Sequence, residues 1–356
     1  MGFIDDEVSE VSQLCESVIP KSTLITCLVS LVRVEIQQTT SRHLTICIRF
    51  PQNYPSEKLL LEFKSKTMSD LFLERFNQIC DTKLADFVGN TQVIKILIFI
   101  SDYLADNPLC IVLNELQNIR LRLSNSGELK LKQKTSSVNL YTRGGQYFYK
   151  ATFTVPQNYP AERILWDACK SNLPYTLLLF VDGQAKEIAR QCVEAPLRKQ
   201  TANESFEVKP SLQRTLEFII AAILDFPSEK CPICAKCCLP TNPSEIFTTA
   251  DSDELVVRMF CGHIYHQGCL KRFMSEPPFP PGGKTCPAPK KHPRSDRRAR
   301  EFGRYEQIRS PVFNATCGQR VAHDKWGLND VKSAEAKWAH QQARIRELEE
   351  VIDFLQ

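Results

Sequence analysis

Between residues 231 and 317 the chain crowds eight of its fifteen cysteines, and their spacing restricts the fold more than any other feature. Cys231-Pro232-Ile233-Cys234 sets two thiolates across one tight turn, so that both sulfurs can reach one ion at about 2.3 Å. Cys261-Gly262-His263-Ile264-Tyr265-His266-Gln267-Gly268-Cys269 supplies four more donors in the order Cys-x-His-x2-His-x2-Cys, and Cys286-Pro287 lies beyond it. A segment of this kind is expected to fold around metal. The separation of about 12 residues that a C2H2 finger needs between its Cys and His pairs is missing. So are the His-Glu-x-x-His of zinc hydrolases and the His-x-Glu followed by Pro-Cys-x-x-Cys of deaminases. Protein donors that fill every coordination position leave none for water, which makes such a metal structural.

The other seven cysteines are scattered before residue 231. That region carries an internal repeat. Phe50-Pro51-Gln52-Asn53-Tyr54-Pro55 is answered 105 residues later by Val155-Pro156-Gln157-Asn158-Tyr159-Pro160. Each copy follows an alternating apolar pattern, Leu44 to Phe50 and Tyr147 to Val155, that predicts a strand entering a proline turn. A further strand is expected at Leu59 to Phe63 and at Leu177 to Val181. Helix-patterned tails then end alike, Leu97 to Pro108 and Leu216 to Pro227 sharing Leu-x-Phe-Ile and a final Asp-x-Pro. The expected unit is a helix, three or four strands and closing helices, present twice.

A strand, a Tyr-Pro turn and closing helices resemble the RWD domain, a relative of the ubiquitin-conjugating-enzyme fold, with Glu7 to Pro20 in the place of its first helix. A conjugating enzyme would also carry His-Pro-Asn and a nucleophilic cysteine after the turn. Neither copy has that tripeptide, and Cys80 and Cys169 are expected to be core thiols. The Cys/His segment resembles the RING-H2 finger. The resemblance implies an α+β protein: RWD-like domains at 1–108 and 109–228, a RING module with a basic insertion at 229–327, and an amphipathic C-terminal helix at 328–356. It implies two Zn2+ ions, the first held by Cys231, Cys234, His266 and Cys269, the second by Cys261, His263, Cys286 and an eighth ligand. Pro289 stands where the family's last cysteine is expected, so Cys317 is preferred as that ligand, with His292 the competitor. Cys237, Cys238, His292 and His323 are then left over.

The same resemblance implies a RING-type E3 ubiquitin ligase. Such a module binds a ubiquitin-charged conjugating enzyme and positions its thioester for a lysine of a protein substrate, with no covalent intermediate of its own. The conjugating enzyme would dock on Ile233, Phe273 and Pro287. The rival reading is a non-catalytic adaptor, which Gly318, in the place of a basic residue that commonly contacts ubiquitin, favours. A net charge of +4 on 356 residues does not point to nucleic acid as a partner, and the densest basic cluster, Lys290 to Arg304, holds one aromatic, Phe302. The longest apolar run, Phe218 to Leu224, is far short of a membrane span of roughly 18 residues, and no apolar signal core follows the N-terminus. A cytoplasmic or nuclear location is therefore expected. Trp338, Ile345, Leu348, Ile352 and Leu355 mark one face of a C-terminal helix, which would pack on the chain's own domains or pair in a homodimer.

Overall fold

The computed structural model describes residues 2–195, 206–259, 262–280, 283–289 and 337–346, with Leu348. It is a mixed α+β structure. Its contacts divide the chain into two compact units, one made of residues 1–144, 148–172 and 180–224, the other of residues 145–147, 173–179 and 225–356.

In the first unit the repeat seen in the sequence becomes a repeat of whole topology. The first half runs α1 (Phe3–Val18), β1 (Ser22–Leu28), β2 (Leu31–Gln37), β3 (His43–Arg49), β4 (Leu60–Lys64), α2 (Asp70–Leu84) and α3 (Val93–Asp106). The four strands form an antiparallel meander in the order β1-β2-β3-β4. Alternation along β2 and β3 sends Val32, Val34, Ile36, Leu44, Ile46 and Ile48 into one core with Val11 and Cys15 of α1, Phe76 and Cys80 of α2, and Ile96, Leu97 and Ile100 of α3. The Cys80 thiol is fully buried there, and burial pushes its pKa up to about 12, which makes it the inert core cysteine expected.

The second half repeats the order with α4 (Leu113–Leu123), β5 (Gly127–Lys132), β6 (Ser137–Gly144), β7 (Tyr147–Thr154), β8 (Cys169–Ser171), α5 (Tyr175–Val193) and α6 (Leu212–Asp225). Its sheet order is β5-β6-β7-β8. Here one expectation fails, because Leu177–Val181 is the start of α5 and the fourth strand is β8. Five consecutive apolar residues carry no period of their own. The period shows only further on, where buried Leu177, Val181, Ala185 and Ala189 recur every four residues.

The two turns are held by the same polar network. In the first half the Glu7 carboxylate, from α1, accepts hydrogen bonds from the backbone N–H groups of Gln92 and Val93, both at 2.7 Å, and from the Tyr54 hydroxyl. In the second, Glu115 from α4 accepts from the Gln213 N–H at 2.9 Å and the Tyr159 hydroxyl at 2.7 Å, and Tyr159 accepts from the Leu212 N–H at 3.0 Å. Asn53 donates to Glu57 as Asn158 donates to Glu162, and both Tyr-Pro peptides are cis. A carboxylate from the first helix of each half thus caps the N-terminus of its last helix, where the unpaired N–H groups and the helix dipole favour negative charge.

Candidate metal centre

In the second unit the first two donors are placed by the backbone of their own turn. The Cys231 N–H donates to the Lys236 carbonyl and the Ala235 N–H to the Cys231 carbonyl, both at 2.8 Å. The turn closes through Ala235 in the left-handed region, at φ 59°. The next donors come from a hairpin and the helix it feeds: β9 (Val256–Arg258) pairs with β10 (Ile264–His266), which leads directly into α7 (Gln267–Ser275). Gly262 turns this hairpin at φ 85°, a conformation that favours glycine. The first turn of α7 is anchored by N–H bonds from Gln267 to the Leu255 carbonyl and from Gly268 to the Asp253 carbonyl. A Cβ at Gly268 would lie 2.5 Å from the Asp253 carboxyl carbon, so glycine lets the helix approach closely enough to deliver Cys269.

These elements bring Cys231, Cys234, His266 and Cys269 together, with one ligand atom from each, all within 4.8 Å of one another. A tetrahedron of thiolates and an imidazole around one ion has edges of about 3.5 to 3.8 Å given its bond lengths of 2.0 to 2.3 Å, so the group can hold one metal ion after a small contraction. The His266 tautomer suits that role. Its Nδ1 faces the sulfurs of Cys234 and Cys269 at 3.4 and 3.9 Å, and its Nε2 lies 3.1 Å from the Cys237 carbonyl. A carbonyl only accepts, so Nε2 carries the proton and the Nδ1 lone pair is left for the ion. Burial opposes ionisation of Cys231, but N–H groups of Cys234, His266 and Ile233 aimed at its sulfur lower its pKa. The Cys269 thiol is raised to about 11 by burial, with Cys234 and Cys231 adding to the effect. Three thiolates at this separation repel one another, and a cation among them removes that repulsion.

The second predicted ligand set is represented, among the described residues, by His263 and Cys286. Both are buried, with Nδ1 3.5 Å from Sγ, and the Tyr265 hydroxyl lies 2.8 Å from the same sulfur. Cys261, Cys317 and the competitor His292 lie outside the described residues, as do His323 and Lys290 to Arg304. Of the leftover cysteines, Cys237 is exposed. Cys238 is buried and donates to the Ile264 carbonyl at 3.3 Å; burial raises its pKa.

Ile233, between two ligands, is 36% exposed. Phe273 and Pro287 are half-buried. The Phe273 ring has a neighbour the sequence did not suggest: the Lys284 ammonium stands 4.9 Å from its centroid and 4.8 Å from that of Phe279, and donates to the Phe273 and Glu276 carbonyls at the end of α7. A buried cation is stabilised there by two aromatic faces and two terminal carbonyls. Residues 337–346 are helical, and the Trp338 ring packs edge-on against Phe279 with centroids 5.9 Å apart.

No family model and no curated protein matches this chain. Among the described residues no single helix is long and apolar enough to cross a membrane.

Proposed function

We propose that the chain is a RING-type E3 ubiquitin ligase with two RWD-like domains, an architecture like that of the Fanconi anaemia ligase subunit. The observation that carries this reading is the interleaving of the ligands. Cys231 and Cys234 meet His266 and Cys269, passing over His263, which meets Cys286 instead. Two metal sites threaded through each other along the chain are what the RING resemblance calls for, with Zn2+ the ion suited to Cys3His donors. Metal analysis of the purified protein is expected to return two zinc ions per chain; one ion, or none, would remove the interleaved second site from the proposal.

In this reading zinc fixes the module's shape and takes no part in the reaction. The substrate lysine amine attacks the thioester carbonyl on the conjugating enzyme, an isopeptide bond forms, and the conjugating enzyme's cysteine leaves. The ligase contributes orientation. Ile233 is the docking residue best supported by its exposure, with Phe273 and Pro287 beside it in the proposal. Ile233→Ala is expected to slow ubiquitin discharge from a cognate conjugating enzyme about 30-fold, the equivalent of about 2 kcal/mol for a central contact, while zinc content stays unchanged. Equal activity of wild type and variant would move the docking surface elsewhere. The adaptor reading draws support from Phe273, whose ring is engaged by Lys284. Absence of discharge by the wild type across a broad panel of conjugating enzymes would favour it.

A further inference from the structure

The two four-stranded sheets share a topology but differ on their outer faces. Alternation along β5 to β8 turns Glu128, Lys130 and Lys132 outward on the first strand, with Tyr141 and Arg143 on the second and Lys150 and Thr152 on the third. Lys170 is exposed on β8. The register sets Lys130 opposite Asn139, Glu128 opposite Tyr141, and Lys150 opposite Lys170. Thr152 donates to Asn139 across the central pair of strands at 2.7 Å. Five cations therefore share these strands with one carboxylate, Glu128, whose ion pair with Lys130 is itself exposed. Among them the rings of Tyr141 and Phe148 stack with centroids 6.1 Å apart and 28° between planes. Tyr141 is 37% exposed, a position where a core has no use for an aromatic ring.

The first sheet provides an internal control. On its strands Arg33, Arg49 and Lys64 are offset by Glu35 and Glu62, the carboxylates pairing with His43 and Lys64. Its one strand aromatic, Phe63, packs against the core. Polar cover for a sheet thus needs neither the charge excess nor the paired rings of the second face.

We propose that the outer face of β5–β8 binds single-stranded nucleic acid, the rings of Tyr141 and Phe148 stacking bases while Lys130, Lys132, Arg143, Lys150 and Lys170 take the phosphates. The flat aromatic centre favours this ligand over an acidic peptide, which would use the cations alone.

The test is fluorescence anisotropy of the full chain with a labelled oligothymidylate of about 20 nucleotides, repeated over a salt series, with a polyglutamate peptide of similar charge as the second probe. Wild type is expected to bind the oligonucleotide more tightly than the peptide. Tyr141→Ala should weaken oligonucleotide binding about fivefold or more and leave peptide binding unchanged. Lys150→Ala with Lys170→Ala should reduce the salt dependence by about 1.4, two phosphate contacts at roughly 0.7 each. A triple variant, Arg297→Ala, Arg298→Ala and Arg300→Ala, separates this face from the basic segment near the C-terminus. Undetectable oligonucleotide binding, equal binding of both probes with no effect of Tyr141→Ala, or loss of binding in the triple arginine variant alone would each overturn the proposal.

Discussion

Replacing Cys269 by alanine is expected, on the zinc-bound reading proposed above, to abolish metal binding at the Cys3His group and unfold the region from Cys231 to Cys286, leaving the two sheets of the first unit folded. The group has four protein donors; with three, the fourth position falls to water, a weaker ligand than thiolate, and α7 loses its thiolate tie to the Cys231–Cys234 turn. Structural zinc in small zinc-finger peptides contributes about 10 to 16 kcal/mol of folding free energy at neutral pH, the scale expected here if the proposed ion is zinc. The apolar residues buried in this region, among them Val256, Ile264, Leu270 and Met274, form too small a core to replace that contribution. Limited proteolysis should then cut between 231 and 289 while α1 to α6 stay protected, and metal analysis should show the loss directly. Cys238→Ala is the control: it removes a neighbouring buried thiol that donates to the Ile264 carbonyl, and should cost about 1 kcal/mol with metal retained. If Cys269→Ala kept both metal and protease resistance, its sulfur would not be a ligand.

The first metal set was legible in the sequence because short ligand spacings leave the chain few ways to present its donors. Which pairs cross over was not, since spacing says nothing about whether Cys234 meets His263 or His266; that expectation came from the RING resemblance. The strands around both proline turns were legible as alternation, whereas Leu177–Val181 was misread because the run is too short to hold a period. The basic face went unseen for another reason. Alternation says that Lys130, Tyr141, Lys150 and Lys170 face outward, but their becoming neighbours depends on strand order, and the charges are spread over four segments that look ordinary one at a time. Net charge does not register such a face, because its cations are cancelled in the sum by acids elsewhere in the chain.

The carboxylate caps left a faint mark. Glu7 sits four residues before Val11 and eight before Cys15, on the buried stripe of α1, where a charged residue is out of place unless it has partners. Those partners lie 47, 85 and 86 residues away in Tyr54, Gln92 and Val93, beyond the reach of any local pattern. The repeat does carry the information, since Glu115 stands in the same relation to Tyr159 and Gln213 in the second half. A glutamate on a buried face, found twice before a shared Tyr-Pro turn, was the signal available.

Glu7→Ala is accordingly expected to destabilise the first half by about 4 kcal/mol. It strands the buried Val93 N–H, at about 1 to 3 kcal/mol, leaves the Gln92 N–H only its bond to the Tyr54 oxygen at 3.1 Å, and removes the acceptor of the Tyr54 hydroxyl. Against a total stability of about 5 to 15 kcal/mol this is a large fraction. It should appear as a lowered denaturant midpoint and as faster hydrogen exchange at the start of α3. Glu7→Gln keeps one oxygen to accept from Gln92 and Val93 and should lose about half as much. Glu115 adds a pH signature. Burial raises its pKa against the bonds from Gln213 and Tyr159, so the folded chain holds this proton more tightly than the unfolded chain does. Its contribution to stability is therefore full below the ordinary value of 4.5, falls as pH rises through the folded value, and stays low above it. A denaturant series in wild type and Glu115→Gln, run from about pH 4 to pH 7, should show that decline in wild type alone. A Glu7→Ala protein as stable as wild type would mean that water replaces the carboxylate at α3, and the cap would then be dispensable.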